Sequence, residues 1–303
     1  MRLSKQRERP ERSFGQFAGR PLARMLTMLL CGIASARSAP PESGKPWENS
    51  LGMKFAQVEG TKALFSIWET RVQDFEAFVQ ATHYEATKSM LSDRGDGWKQ
   101  EGDNWKSPGF KQTPAHPVCG VNWDDAKAFC AWLTKQERDS GQLAANQEYR
   151  LPTDDEWSAA VALPRESGAT PRERNGKNFD LYPWGKEFPP PKGAGNFADE
   201  AARRGRHADY RIVTGYEDGF EDTAPAGSFL PNKFGLYDLA GNVWEWCEDF
   251  FDGKTGNRVL RGGSYARLGP HYLESTFRLD VTPTRRRADM GFRCVLAPVT
   301  GAP

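Results

Sequence analysis

Gly241-Asn242-Val243-Trp244-Glu245-Trp246 sets a carboxylate between two indoles directly after a Gly-Asn turn. Indoles carry large buried area. A carboxylate trapped between them needs a partner, because an unpaired buried charge is too costly to keep. Upstream of this run, from Pro164 to Asp238, the chain is mostly Gly, Pro, Asn and Asp with isolated aromatics. That is far too long for an ordinary connection in a compact domain, so something must hold it. Asn196, Asp218, Asp238 and Glu245 are oxygen donors set among these turns. Ca2+ takes about six to eight hard oxygens from carboxylates, amides and carbonyls. Asp-Gly and Asn-Gly pairs serve turns as well, so spacing alone leaves both readings open.

The composition agrees with a loop-rich fold. Across 303 residues there are 30 Gly, 21 Pro and 10 Trp, which disfavours a helical bundle. The 41 Lys and Arg against 40 Asp and Glu leave a formal charge of +1, with no long basic stripe beyond the N-terminus, so nucleic acid is not an expected partner. No fixed-period repeat is present, and one domain over residues 47–298 fits, followed by a tail at 299–303.

The N-terminus has the three parts of an export signal: Arg2, Lys5, Arg7, Arg9, Arg12, Arg20 and Arg24, then the apolar run Met25 to Ala36, then Ala34-Ser35-Ala36 as cleavage site. Residues 1–36 are thus expected to be a signal peptide and 37–46 a Pro-rich linker, with the protein exported to a periplasmic or extracellular space. The apolar run is too short to span a bilayer, so no integral span is expected after cleavage. Cys31 follows Leu29-Leu30 where a lipoprotein cysteine wants a small residue, which disfavours a lipid anchor there. Cleavage leaves 34 basic and 38 acidic residues, a formal charge of −4. In an oxidising compartment the remaining Cys119, Cys130, Cys247 and Cys294 can pair in three ways.

Local patterns predict strands at Met53 to about Val58, Ala63 to Trp68, Arg258 to Leu260 and Gly291 to Leu296. A helix with Val72, Phe75, Phe78 and Val79 on one face is expected after a Thr70/Gln73 capping box. A second starts at Asn122 and turns Ala126, Phe129, Cys130 and Leu133 inward, and a third follows the Thr153/Glu156 box. Gly193 to Ala198 matches G-x-G-x-x-A, but Pro189-Pro190-Pro191 stands where a nucleotide-binding strand should be, so it reads as a loop. Arg285-Arg286-Arg287 reads as a solvated turn. His83, His116, His207 and His271 show no zinc spacing.

Taken in order, several segments resemble the formylglycine-generating enzyme (sulfatase-modifying factor) family. They are Asn49-Ser50-Leu51-Gly52-Met53, Arg150-Leu151-Pro152-Thr153 with Glu156-Trp157, Tyr182-Pro183-Trp184-Gly185, Asp218-Gly219-Phe220, Gly235-Leu236-Tyr237-Asp238, Gly241 to Trp246, Arg261-Gly262-Gly263-Ser264 and Gly291-Phe292-Arg293-Cys294. The resemblance implies an α+β, elaborated C-type-lectin-like fold with much irregular loop. It places a first structural Ca2+ site at Asn196, the Phe197 carbonyl, Asp218 and the Phe220 carbonyl. A second falls on Asp238, the Gly241 and Val243 carbonyls and Glu245. It also implies a disulfide between Cys130 and Cys294 and leaves Cys119 and Cys247 without a named pairing.

The family's oxidases hold Cu(I) with two cysteines shortly after the Gly-Gly-Ser motif, and those positions fall on Arg267 and Tyr272. A guanidinium brings no lone pair to a metal and a phenol is no substitute for a soft thiolate, so copper is not expected. Two functions compete. The first is an exported, calcium-stabilised module that binds a protein, peptide or glycan ligand with Ser264, Arg267, His271, Tyr272 and Arg278. The alternative is an oxidoreductase that modifies a protein or peptide through a non-cysteine centre, such as His271 with Tyr272 and a metal. The first is favoured, because a His/Tyr pair serves binding or packing more often than acid-base chemistry.

Overall fold

The computed structural model describes residues 47–208, 210–266 and 269–299. The expected signal peptide and linker, Cys31, Arg267 and residues 300–303 of the tail lie outside them. In chain order the elements are β1 (Trp47–Glu48), β2 (Lys54–Gln57), β3 (Leu64–Ser66), α1 (Val72–Thr82), β4 (Ser92–Asp93), β5 (Trp98–Lys99), α2 (Trp123–Asp139) and β6 (Gln147–Arg150). Then come α3 (Asp154–Ala160), α4 (Pro171–Arg174), α5 (Glu200–Arg204), β7 (Trp244–Phe250), β8 (Arg258–Arg261), a 3-10 turn Pro270–Leu273, β9 (Leu279–Val281), β10 (Met290–Gly291) and β11 (Val295–Pro298).

The expected α+β arrangement with extensive irregular chain is what forms. An antiparallel sheet of order β1-β2-β3-β11-β6 supports α1 and α2, a second sheet runs β10-β7-β8-β9, and β4-β5 is a separate hairpin. Phe75, Phe78, Phe129 and Phe292 fill the space under the helices with Trp244 and Trp246. Phe129 packs edge-on to Phe292 with centroids 5.5 Å apart. Each such fully buried side chain contributes about 1.5–3 kcal/mol relative to exposure. A second cluster holds Phe65, Trp157, Leu236, Cys247, Val259 and Val295.

Two helix starts are as expected. Asn122 accepts the Asp125 amide at 2.9 Å and Thr153 accepts that of Glu156 at 3.1 Å, each closing a capping box. At α1 the cap lies one residue later than the expected Thr70/Gln73 box. Asp74 accepts the Arg71 amide at 2.9 Å and also takes the Arg71 guanidinium, a pairing that Thr70 and Gln73 cannot offer. The strand expected over Gly291 to Leu296 is instead two strands in different sheets. β10 runs parallel to β7, and β11 sits between β3 and β6. The crossing Phe292-Arg293-Cys294 drops all three side chains inward. Among the described residues from Pro164 to Asp238 only α4 and α5 are helical and no named strand occurs.

Candidate functional site

The partner that Glu245 needs is Arg293. Its Nε donates to Glu245 Oε2 at 2.7 Å and its Nη2 to Oε1 at 2.6 Å, while the Trp157 indole donates to Oε2 at 3.2 Å. Arg293 Nη2 also reaches the Tyr237 and Asp238 carbonyls, at 2.9 and 3.3 Å. Asp238, in left-handed backbone at φ 55°, accepts the Gly227 amide on Oδ2 at 2.6 Å and leaves Oδ1 buried without a partner. Burial raises its carboxyl to about 6 against the pull of Arg293. Glu69 stands beside this group and had not been picked out by sequence. It accepts the Asn242 amide at 2.7 Å and the Val243 N–H at 3.1 Å. Burial, followed by Asp238 and Glu245, holds its carboxyl well above the usual range. Its signal was present: Trp68-Glu69 repeats the pattern of Trp244-Glu245.

The first mapped site is built differently. Asp218 accepts the Phe197 amide on Oδ2 and the Phe220 amide on Oδ1, both at 2.8 Å. Its own amide donates to Asp199 Oδ2 at 2.5 Å. Burial, and then the neighbouring Asp199, raise the Asp218 carboxyl to about 8. Asn196 donates to the Asp222 carbonyl at 2.7 Å and to Asn242 Oδ1 at 3.2 Å, and its own Oδ1 is buried with no partner.

The two regions are joined. Asn242 N–H donates to the Asn196 carbonyl at 2.9 Å, and Asn196 bridges to Gly241. Gly241 has φ +79°, and a Cβ there would lie 1.9 Å from the Asn196 carbonyl oxygen, so only glycine fits the approach.

The residues of the first site fit a hard cation, since Asn196 keeps an orphaned amide oxygen next to the Phe197 amide that Asp218 accepts, and the acidic pair Asp199 and Asp218 has no counter-charge among the described residues. The second fits less fully: Asp238 keeps an open oxygen, but both oxygens of Glu245 are already bonded. Among the described residues no three His, Cys, Asp or Glu side chains converge as a metal group. An ion would therefore draw its remaining oxygens from amides and carbonyls.

The expected ligand-binding residues separate. Arg278 is 1% exposed and serves as an internal counter-ion, not as part of a surface. Its Nε donates to Asp154 at 3.1 and 3.2 Å, its Nη1 to Glu166 Oε1 at 2.7 Å and its Nη2 to Oε2 at 2.5 Å. Arg261 and Arg174 bind the same Asp154. Ser264 is also buried, donating to Asp289 Oδ2 at 3.1 Å. His271 and Tyr272 remain together on the 3-10 turn with ring centroids 4.0 Å apart, and His271 is exposed.

All four described cysteines are buried free thiols. Cys130 and Cys294, the pair the resemblance implies, lie in one core cluster as neighbours, and Cys294 sits in the crossing before β11 and not in a strand; no bridge joins them in this structure. Burial pushes the thiols of Cys119, Cys247 and Cys294 well above the ordinary range.

A cavity of about 790 Å³ is lined by Arg94, Phe110, Lys111, His116, Arg206 and Phe220 among others. Phe110 packs edge-on to Tyr265 at 5.7 Å, which puts the cavity beside the segment leading to Arg267. A second, of about 550 Å³, has Trp184 and Tyr182 on its wall, stacked 4.8 Å apart. Among the described residues no helix is long and apolar enough to cross a membrane.

Comparison with solved structures supports the fold alone. PvdO from Pseudomonas aeruginosa superposes with a TM-score of 0.56 at 18% identity, covering 85% of this chain and 100% of that one. The Treponema denticola variable protein 1 gives 0.52 at 19% identity, covering 84% and 99%. The architecture is consistent with an elaborated C-type-lectin-like fold.

Sequence relatives are more telling. The formylglycine-generating enzyme of Thermomonospora curvata is 31% identical over 231 residues, 65% of this chain and 63% of that protein. Inactive C-alpha-formylglycine-generating enzyme 2 of Bos taurus is 33% identical over 201 residues, 63% and 55% of the two chains. Formylglycine-generating enzyme of Bos taurus is 29% identical over 287 residues, 77% and 66%. The chain spans less than two thirds of the length of each of these relatives. The family described as Sulfatase-modifying factor enzyme 1-like domain matches residues 45–298, nearly the whole described region, and the chain belongs to that formylglycine-generating enzyme family.

Proposed function

We propose that this protein is an exported, calcium-stabilised binding module of the family that has given up copper-dependent cysteine oxidation and holds a peptide or glycan ligand. The observation that carries the reading lies at the positions where the family's oxidases keep two thiolates. One is Tyr272, whose ring packs on His271 and edge-on to Phe277 at 5.0 Å, and the other is Arg267. Neither side chain can replace a soft sulfur donor for Cu(I). No described cysteine offers a substitute, because all four are buried and free. One relative at 33% identity is itself named inactive, which supports the reading. With Ser264 and Arg278 withdrawn into the interior, the candidate ligand contacts we favour are His271 and Tyr272 and, as a separate feature, the cavity of Phe110, Lys111 and Arg206. They offer an aromatic face and cations.

When bound, calcium would supply charge neutralisation and staple the irregular chain. Asn196 and Asp218 would hold it at the first site and Asp238 at the second, each with backbone carbonyls nearby.

The test is incubation of purified protein with a sulfatase-type cysteine peptide, copper and oxygen, read by mass spectrometry for aldehyde formation. The expected result is unchanged peptide, together with saturable binding of the peptide or of one class on a glycan array that Phe110→Ala and Lys111→Ala weaken. Robust copper-dependent aldehyde formation overturns the reading. Export and the Cys130 to Cys294 bridge belong to the same proposal. N-terminal sequencing of exported material should begin after Ala36, and peptide mapping of it should find the two cysteines linked. Loss of such a bridge typically costs about 2–5 kcal/mol.

A further inference from the structure

We propose that Asp199 is a ligand-supplying carboxylate of the first cation site, so that the site carries two carboxylates and not one. The inference rests on the calcium reading above and goes beyond the positions mapped from the family. Asp199 is fully buried, its Oδ2 accepts the Asp218 amide at 2.5 Å, and the two carboxylates are neighbours. The neighbouring acids Glu200 and Glu217 are satisfied by Arg203 and Arg204. Asp199 and Asp218 form no ion pair with a cationic side chain among the described residues. The local arginines have thus been spent on the outer pair of acids while the inner pair is left to face itself.

Counting acceptor positions shows what remains open. A carboxylate oxygen offers about two acceptor positions, as does an amide oxygen. Asp199 Oδ1 is filled by the Ala201 and Ala202 amides that it caps at 2.8 and 3.2 Å, and Oδ2 takes only the Asp218 amide. Asp218 uses one position on each oxygen, for Phe220 and Phe197. Asn196 Oδ1 uses none, although the residue is 0% exposed. Open positions therefore remain on Asp199 Oδ2, on both oxygens of Asp218 and on Asn196 Oδ1, whose neighbour Phe197 donates its amide to Asp218, and no cationic side chain among the described residues pairs with either acid. A hard divalent cation fills such a set without needing protons and cancels the charge of the pair. Because Asp199 also caps α5, the ion would fix that short helix to the Asn196 and Asp218 segments.

The experiment is isothermal titration of the chelator-stripped full chain with CaCl2, comparing wild type, Asp199→Asn and Asp218→Asn. Asparagine still caps α5 through its amide oxygen while removing the charge. Its NH2 group stands where Oδ2 accepted the Asp218 amide, so the calcium-free Asp199→Asn protein should melt somewhat below chelated wild type, and its Kd should rise about tenfold or more, since affinity follows the charge count of the ligands. Should Asp199→Asn keep the first-site binding event within about twofold of wild type while Asp218→Asn loses it, the proposal fails and the calcium reading stands. If wild type binds no calcium, both fail. Were the variant unable to fold, a calcium-soaked crystal of wild type decides. An Asp199 oxygen at about 2.3–2.6 Å from the ion supports the proposal, and an ion bound by Asp218 without Asp199 overturns it.

Discussion

Asp154 and Asp199 are both fully buried, yet the chain treats them in opposite ways. Around Asp154 it supplies its own cations: Arg174 at 2.9 Å, Arg278 at 3.1 Å and Arg261 closer still. Burial pushes the Asp154 carboxyl up, but Arg261 and Arg278 outweigh it and hold it below the ordinary range. Around Asp199 only backbone amides are supplied, at Ala201, Ala202 and Asp218, and burial leaves its carboxyl raised. The first centre is closed by residues as far apart as 107 and 124 positions in sequence. The second is assembled within one loop. A charge balanced internally serves the fold alone. On the calcium proposal, a pair of acids left unbalanced would make folding of that loop depend on an ion from outside.

The sharpest way to break this contrast is to remove each acid in turn. Asp154→Ala leaves Arg278 with Glu166, Arg174 with Asp155 and the fully buried Arg261 with no carboxylate, and should cost about 3–5 kcal/mol in urea unfolding, the range for stranding a buried charge. A loss of less than about 1 kcal/mol would mean that the arginines find water or other acids, as exposed pairs do.

Chelation should come next in size. A ligand that binds only the folded state adds RT ln(1 + [L]/Kd), about 2.7 kcal/mol at a hundredfold excess over Kd. EDTA should therefore lower the melting temperature of wild type, and Asp218→Asn, which keeps the second site, should show a smaller drop. Asp180→Ala, at an exposed position outside both mapped sites, should respond as wild type does. An unaltered wild-type curve, in protein verified to be metal-free afterwards, would remove the external partner from the argument.

Smaller again is Asp199→Ala measured in chelator. It removes a helix cap and a like-charged neighbour together, so its cost should stay near the capping range of about 0.5–2 kcal/mol, below that of Asp154→Ala. Equal losses for the two variants would erase the distinction between a balanced and an unbalanced acid.

What could be read from sequence divides along the same line. The Asn122 cap and the Thr153/Glu156 capping box were legible because cap and capped amide lie three residues apart. The inward Cys130 followed from helical periodicity. β7 was not legible as a strand, since Trp244, Glu245, Trp246 and Cys247 are all buried and no alternation of polar and apolar residues marks them. Gly291 to Leu296 read as one strand because nothing local reveals that Arg293 must leave the ladder to meet Glu245, 48 residues earlier. Arg278 looked available for a ligand for the same reason: its acids stand 124 and 112 positions away. Ion pairs between distant residues leave no periodic trace, whereas the oxygen-rich turns at Asn196, Asp218 and Asp238 show directly in composition.

The smallest effect lies in acid and tests the balanced centre from the other side. The Asp154 carboxyl is held below its ordinary value in the folded protein, while in the unfolded chain it titrates near about 3.9. Above that pH the depressed group contributes its full stabilisation. As pH falls through the unfolded value toward the folded one, the unfolded chain takes up the proton first and the contribution is lost, at about 1.4 kcal/mol for each unit of depression. Asp154→Asn has no such proton to take up. The stability gap between wild type and Asp154→Asn, followed by urea unfolding from pH 5 downward, should hold steady to about pH 4 and then narrow. The depression of Glu156 beside Arg150 and of Glu166 beside Arg278 adds acid sensitivity to both proteins, which is why the difference between them is the quantity to follow. A gap that stays constant down to the acid transition would show that the three arginines position Asp154 without stabilising its charge.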